Sequence, residues 1–138
     1  MALRNIYITE FDLERLKGLV DAGIRFRERD REHLESLQHQ LDQAQIVDPA
    51  AIPHDVVTMN STVRLRDEET GQEESYTIAF PSEANMARKT ISVLVPIGTA
   101  ILGCKVGDVV QWSVPGGMKR WRIEEIVYQP EAAGHYHL

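Results

Sequence analysis

The segment VDPAAIPH (47–54) divides the chain into two halves that obey different periodicities. Proline fixes φ and lacks the amide hydrogen a helix interior needs, so Pro49 and Pro53 close any helix that reaches them. Before this break, apolar residues recur at spacings of three and four. After it, they alternate. The first pattern draws one apolar stripe along a helix; the second gives a strand one apolar face. The 138 residues therefore read as α+β: a short N-terminal arm over 1–46 and a β-rich body over 47–138.

In the arm, RNIYI (4–8) is a short strand or a tether. TEFD (9–12) opens a helix, with Thr9 as N-cap and Asp12 three residues on. Leu13, Leu16 and Val20 form its seam, and Gly23 is the expected stop. Leu34, Leu37, Leu41 and Ala44 form a second seam of coiled-coil spacing. Neither helix is apolar all round, so the seams should face each other in an antiparallel coiled-coil hairpin turning near 23–26. A second helix over 28–46 would be roughly 28 Å long.

In the body, Val63 and Leu65, a turn at Thr70–Gly71, then Tyr76, Ile78 and Phe80 predict a hairpin. ISVLV (91–95) reads as another strand. IGTAILGCKVGD (97–108) reads as a short apolar helix ending at Gly103, followed by a turn at Gly107. A second hairpin over 109–128 places Val110, Trp112 and Val114 on one face, turns at Pro115–Gly117, and returns with Trp121 and Ile123. The expectation is an antiparallel sheet of four or five strands with one short helix against it.

Net charge is −6, spread evenly: seven Lys/Arg against ten Asp/Glu up to residue 50, and eight against eleven beyond it. Neither half carries the basic field that tight nucleic-acid binding needs, so no direct DNA binding is expected. A protein partner with basic surfaces suits this balance better. Cys104 is the single cysteine, which excludes an intrachain disulfide and a Cys-rich zinc site. No signal peptide is read at the N-terminus and no run nears the ~20 apolar residues of a membrane span, so a cytoplasmic protein away from membranes is expected.

The ordered combination in ISVLVPIGTAILGCKVGDVVQWSVPGG (91–117) resembles the C-terminal domain of the GreA/GreB transcription elongation factors. It comprises a strand, a proline, an Ala-x-Leu-Gly helix, a Lys-x-Gly-Asp turn and a strand ending in Pro-Gly. That family joins a coiled-coil arm to an FKBP-like domain, the order inferred above. PHDVVTMNSTVRL (53–65) and YQPEAAG (128–134) are similar to the Rnk branch, Gre-related regulators of nucleoside diphosphate kinase with a shortened arm. The resemblance implies RNA polymerase as partner. The C-terminal domain would dock at the rim of the secondary channel, the arm would enter it, and Gre factors would compete. The Gre docking triplet Asp-Ser-Pro aligns with Leu94, Val95 and Pro96, so only the proline matches. Leu94, Val95, Pro96 and Ile97 are the expected polymerase-binding residues. Exposure of Leu94 or Val95 would favour an apolar contact in place of the lost charge. The competing reading is structural, with Pro96 ending a strand above a core of Ile97, Ile101 and Leu102.

The expected arm tip is Arg25, Phe26, Arg27, Glu28, Arg29 and Asp30. Glu28 and Asp30 are the acids available for a magnesium ion. Their spacing sends them to different sides of a helix, and the interleaved arginines compete for the same oxygens. The Gre acidic tip pattern is absent, and the plainer reading is a solvated helix start. No metal site, catalytic residue or cofactor is therefore expected. A short arm without tip chelation predicts a regulator that does not stimulate transcript cleavage; a Gre-like cleavage factor and an FKBP-like prolyl isomerase are the alternatives. GMKRWR (117–122) reads as a strand with Trp121 inward and its basic residues outward rather than a single-strand nucleic-acid patch. His54 and Asp55 read as a polar hinge, His135 and His137 as part of a tail, and Cys104 as a core residue.

Overall fold

A computed structural model describes residues 6–26, 31–135 and 138. The N-terminal elements are β1 (Tyr7–Thr9), α1 (Glu10–Phe26), α2 (Arg31–Gln43) and β2 (Gln45–Val47), the last of which crosses the expected boundary between 46 and 47. The body comprises β3 (Thr62–Asp67), β4 (Glu73–Ala79), β5 (Thr90–Ser92), α3 (Pro96–Ile101), β6 (Val109–Val114) and β7 (Gly117–Tyr128).

Thr9 caps α1 by accepting the Asp12 amide at 3.1 Å, while Glu10 and Asp12 sit near the positive end of the helix. The two seams meet as the periodicity predicts: Leu16, Val20, Leu34, Leu37 and Leu41 are all buried. The helix does not stop at Gly23 but runs on to Phe26. A glycine ends a helix where the chain turns left-handed, and inside one it costs only about 1 kcal/mol. At the other end α2 stops at Gln43, short of the expected 46. The next residues are taken by β2, which pairs parallel with β1 through Tyr7–Gln45, Ile8–Ile46 and Thr9–Val47. Over their described residues α1 is about 25 Å and α2 about 20 Å long.

The body sheet runs β5-β4-β3-β7-β6. Both expected hairpins are present as antiparallel pairs, β3 with β4 and β6 with β7, and β3 joins them by pairing with β7. The edge strand β5 departs from the expected antiparallel pattern by lying parallel to β4. The chain reaches it through two 3-10 turns, Pro81–Glu83 and Met86–Arg88, which carry it around before it comes alongside β4 in the same direction. The architecture is α+β.

One apolar cluster spans arm and body. Ile8, Leu16, Leu37 and Leu41 belong to the same buried group as Met59, Val63, Leu65, Ile78, Leu102, Val110 and Ile123. Gly103 is where they meet. Its amide donates to Val57 O at 2.8 Å and its oxygen accepts the Tyr7 amide at 3.0 Å. Its φ is +81°, and a Cβ there would run into Ile6, so the close approach and the left-handed backbone both call for glycine.

Candidate partner-docking site

The segment expected to meet a partner is a turn, not a strand end. β5 finishes at Ser92, whose hydroxyl accepts the Leu94 amide at 3.1 Å and whose carbonyl accepts the Val95 amide at 3.1 Å. A serine that bonds the backbone two residues on competes with the sheet ladder and bends the chain away. Val95 then becomes the N-cap of α3, with Pro96 at its first positions, where a missing amide costs nothing. Thr99 ties the helix back to the turn: its hydroxyl donates to Val93 O at 2.5 Å. Beneath the turn, Gly98 lies so close to Ser92 and Val93 that a Cβ would overlap their backbone.

This geometry divides the four residues between two hollows. Leu94 and Pro96 line a groove of about 790 Å³ whose far wall is α2, supplied by Glu32, His33, Glu35, Ser36, His39 and Gln40. Val95 and Ile97 line an apolar pocket of about 380 Å³ with Tyr76, Met86 and Ile91. Val95 is 37 % exposed; Pro96 is also exposed, and Leu94 and Ile97 are half-buried. Ile101 and Leu102 fill the core beneath.

The groove shows that α2 does not stand clear of the body. Those six α2 residues line the groove opposite α3 and the β6 residues Gln111 and Trp112, and Gln40 bonds the α3 end directly, donating to Leu102 O at 2.8 Å. One wall carries carboxylates and imidazoles, and the other carries Leu94, Pro96, Ala100 and Trp112. Such a hollow suits a partner segment with an apolar face and a basic edge. Periodicity located the seam of α2 but not this wall, which depends on the tilt of α2 over α3.

Of the tip residues, Arg25 and Phe26 close α1, while Arg27, Glu28, Arg29 and Asp30 lie outside the described residues. Among the described residues, no group of three or more His, Cys, Asp or Glu is arranged to hold a metal ion. Nor, among the described residues, is any helix long and apolar enough to cross a membrane. In GMKRWR, Trp121 packs against Trp112 with ring centroids 6.2 Å apart. Two of its basic neighbours face acids: Arg122 reaches Glu68 at 2.8 Å and Lys119 lies 3.8 Å from Asp67. His54 and Asp55 are exposed. His135 Nδ1 shares a hydrogen bond with the Tyr128 hydroxyl at 2.7 Å, His137 lies outside the described residues, and Cys104 is buried.

Comparison with known proteins covers both halves. Residues 52–128 match the model of the GreA/GreB transcription elongation factor C-terminal domain, and residues 4–47 match that of the Rnk N-terminus. The chain is 37 % identical to the regulator of nucleoside diphosphate kinase of Escherichia coli strain K12, over 99 % of this chain and 98 % of that protein. It is 39 % identical to transcription elongation factor GreA of Sulfurovum sp. strain NBC37-1, over 67 % of this chain and 57 % of that one. A solved structure described as a prokaryotic transcription elongation factor GreA/GreB from Nitrosomonas europaea superposes with a TM-score of 0.73 at 38 % identity, covering 90 % of this chain and 98 % of that one. These relatives are regulators or transcription factors by description. With a GreA/GreB C-terminal body, an Rnk-type N-terminus and near full-length similarity to a regulator of nucleoside diphosphate kinase, the chain belongs to the GreA/GreB family, in its Rnk branch.

Proposed function

We propose that this protein is an RNA polymerase-binding transcription regulator. It docks at the secondary channel through the turn Leu94–Ile97 and acts without stimulating transcript cleavage. The observation that carries this reading is the shared groove, which puts Leu94 and Pro96 of the docking turn opposite α2 of the arm. Arm and body thus offer one concave surface rather than two separate contacts. The Gre acid is missing from the turn, and exposed Val95 and Pro96 supply an apolar contact in its place.

In this reading residues 1–46 are the arm, 47–138 the docking body, and the protein is cytoplasmic. The work is steric: a short arm occupies the channel mouth and excludes Gre factors, while chemistry stays with the polymerase. No catalytic residue or metal is assigned. The test is capture of RNA polymerase core by the immobilised full chain, with purified GreA as competitor, alongside a cleavage assay on halted complexes. Retention of core, displacement by GreA and no gain in cleavage are expected. Failure to retain core, or accelerated cleavage by the purified chain, would overturn the proposal.

A further inference from the structure

At the sequence level Asp12 is an acid three residues past a helix cap. Folded, its side chain leaves its own helix for the body. It is 1 % exposed. Oδ2 accepts the Met59 amide at 3.1 Å, and Oδ1 accepts from Arg15 Nη2 at 2.6 Å. Met59 lies between the proline break and β3, so the first bond crosses from arm to body.

The same turn holds a second buried carboxylate. Glu131, 7 % exposed, accepts from the Thr58 hydroxyl at 2.7 Å. Thr58 is itself braced by Ser61, whose hydroxyl lies 2.9 Å from that of Thr58. Arg15 is clamped between two rings, 4.0 Å from the Phe11 centroid and 4.9 Å from that of Phe80. Its Nη2 also donates to the Leu138 main-chain oxygen at 2.9 Å. The start of α1, the 58–61 turn, Glu131 and the Leu138 main-chain oxygen therefore meet in one junction.

The Asp12 and Glu131 carboxylates and the Leu138 main-chain oxygen share this site with the Arg15 guanidinium. Burial penalises ionised Asp12 most; the Met59 amide and Arg15 oppose that penalty, and Glu131 adds to it, so the carboxyl is pushed up to about 6.

We propose that the Asp12–Met59 contact is a proton-dependent latch that seats the arm on the body more firmly when the junction takes up a proton. In the seated state Asp12 faces Arg15 from its own helix, Glu131 from the C-terminal stretch, and the Met59 amide from the turn. Unseated, its carboxyl returns to water and to its usual 3.8. The seated state binds more protons between those two values, so a falling pH favours seating. Protonation leaves a carboxyl oxygen to accept the Met59 amide and relieves the repulsion with Glu131. Linkage makes the seated-to-unseated ratio rise about tenfold from pH 7.5 to pH 5.

The test is amide hydrogen exchange on the full chain by NMR, taking the protection factor of the Met59 amide, with its measured rate referred to the intrinsic rate at each pH. A rise of about tenfold from pH 7.5 to 5 is expected, with a flat profile in Asp12→Asn, which keeps an oxygen acceptor. A flat wild-type protection factor, or an equal rise in Asp12→Asn, would overturn the latch. Glu131→Gln supplies the second arm: it should move the midpoint of the Met59 amide shift to lower pH, and an unmoved midpoint counts against the proposal even if Asp12→Asn does not fold.

Discussion

Gln40 Nε2 and Leu102 O, 2.8 Å apart, fasten the last turns of α2 to the end of α3 and so fix the width of the groove. Gln40→Ala removes the donor and leaves a partly buried carbonyl to find water. The expected cost is about 1 kcal/mol in urea unfolding, with weaker capture of RNA polymerase core because the groove walls can part. Unchanged stability together with unchanged capture would mean that this bond does not shape the docking surface.

Gly98 sets the depth at which α3 sits against the turn that follows β5. An added Cβ meets the main chain of Ser92 and Val93 rather than a flexible side chain, so backbone must move. Gly98→Ala is therefore expected to destabilise by about 1–3 kcal/mol and to disturb the Leu94 and Val95 amides in an NMR spectrum before distant strands respond. A neutral effect on thermal unfolding would show that the turn is softer than its hydrogen bonds indicate.

Val95 allows binding to be separated from folding. At 37 % exposed it contributes little to the core, and Val95→Asp should shift stability by no more than about 0.5 kcal/mol. If the apolar pocket beside it receives a polymerase side chain, the charge should weaken binding about tenfold or more. Equal affinities for both proteins would move the docking surface away from this turn.

What was legible in the sequence follows from the range of the interactions involved. The leucine seams of α1 and α2 and the two body hairpins are local periodic patterns, and they lie where the pattern puts them, except that Ala44 falls beyond the end of α2. β2 was hidden because three residues are too few to alternate and because its partner β1 lies on the far side of the whole helical pair. The strand expected over 91–95 is Thr90–Ser92 in the structure because the hydrogen bond that the Leu94 amide gives to the Ser92 hydroxyl outweighs the β-propensity of Val93 and Val95. Asp12 was legible as a helix-start acid, but its Met59 partner lies 47 residues further on, beyond the reach of local pattern. The groove was invisible for a similar reason, since no spacing encodes how far α2 leans towards α3.

Asp67 provides a pH signature opposite in sign to that of Asp12. It is 4 % exposed and closes the turn between β3 and β4, where Oδ1 accepts the Glu69 and Thr70 amides at 2.8 and 3.3 Å. Those bonds, the Glu69 amide foremost, hold its carboxyl below the usual range, and Lys119 helps. A lowered folded pKa contributes stability that is present above the unfolded value and lost as the pH falls through the folded one. For Asp12 the folded value is raised to about 6, so its contribution is greatest at low pH and is lost as the pH rises through that value. Urea unfolding at a series of pH values should therefore separate the two. Asp67→Asn should flatten the acid limb, below the usual carboxylate range, and leave the limb near neutrality intact. Asp12→Asn should flatten the decline between about pH 4 and pH 7 and leave the acid limb intact. If each variant flattened the other limb, the signs assigned to both junctions would be wrong.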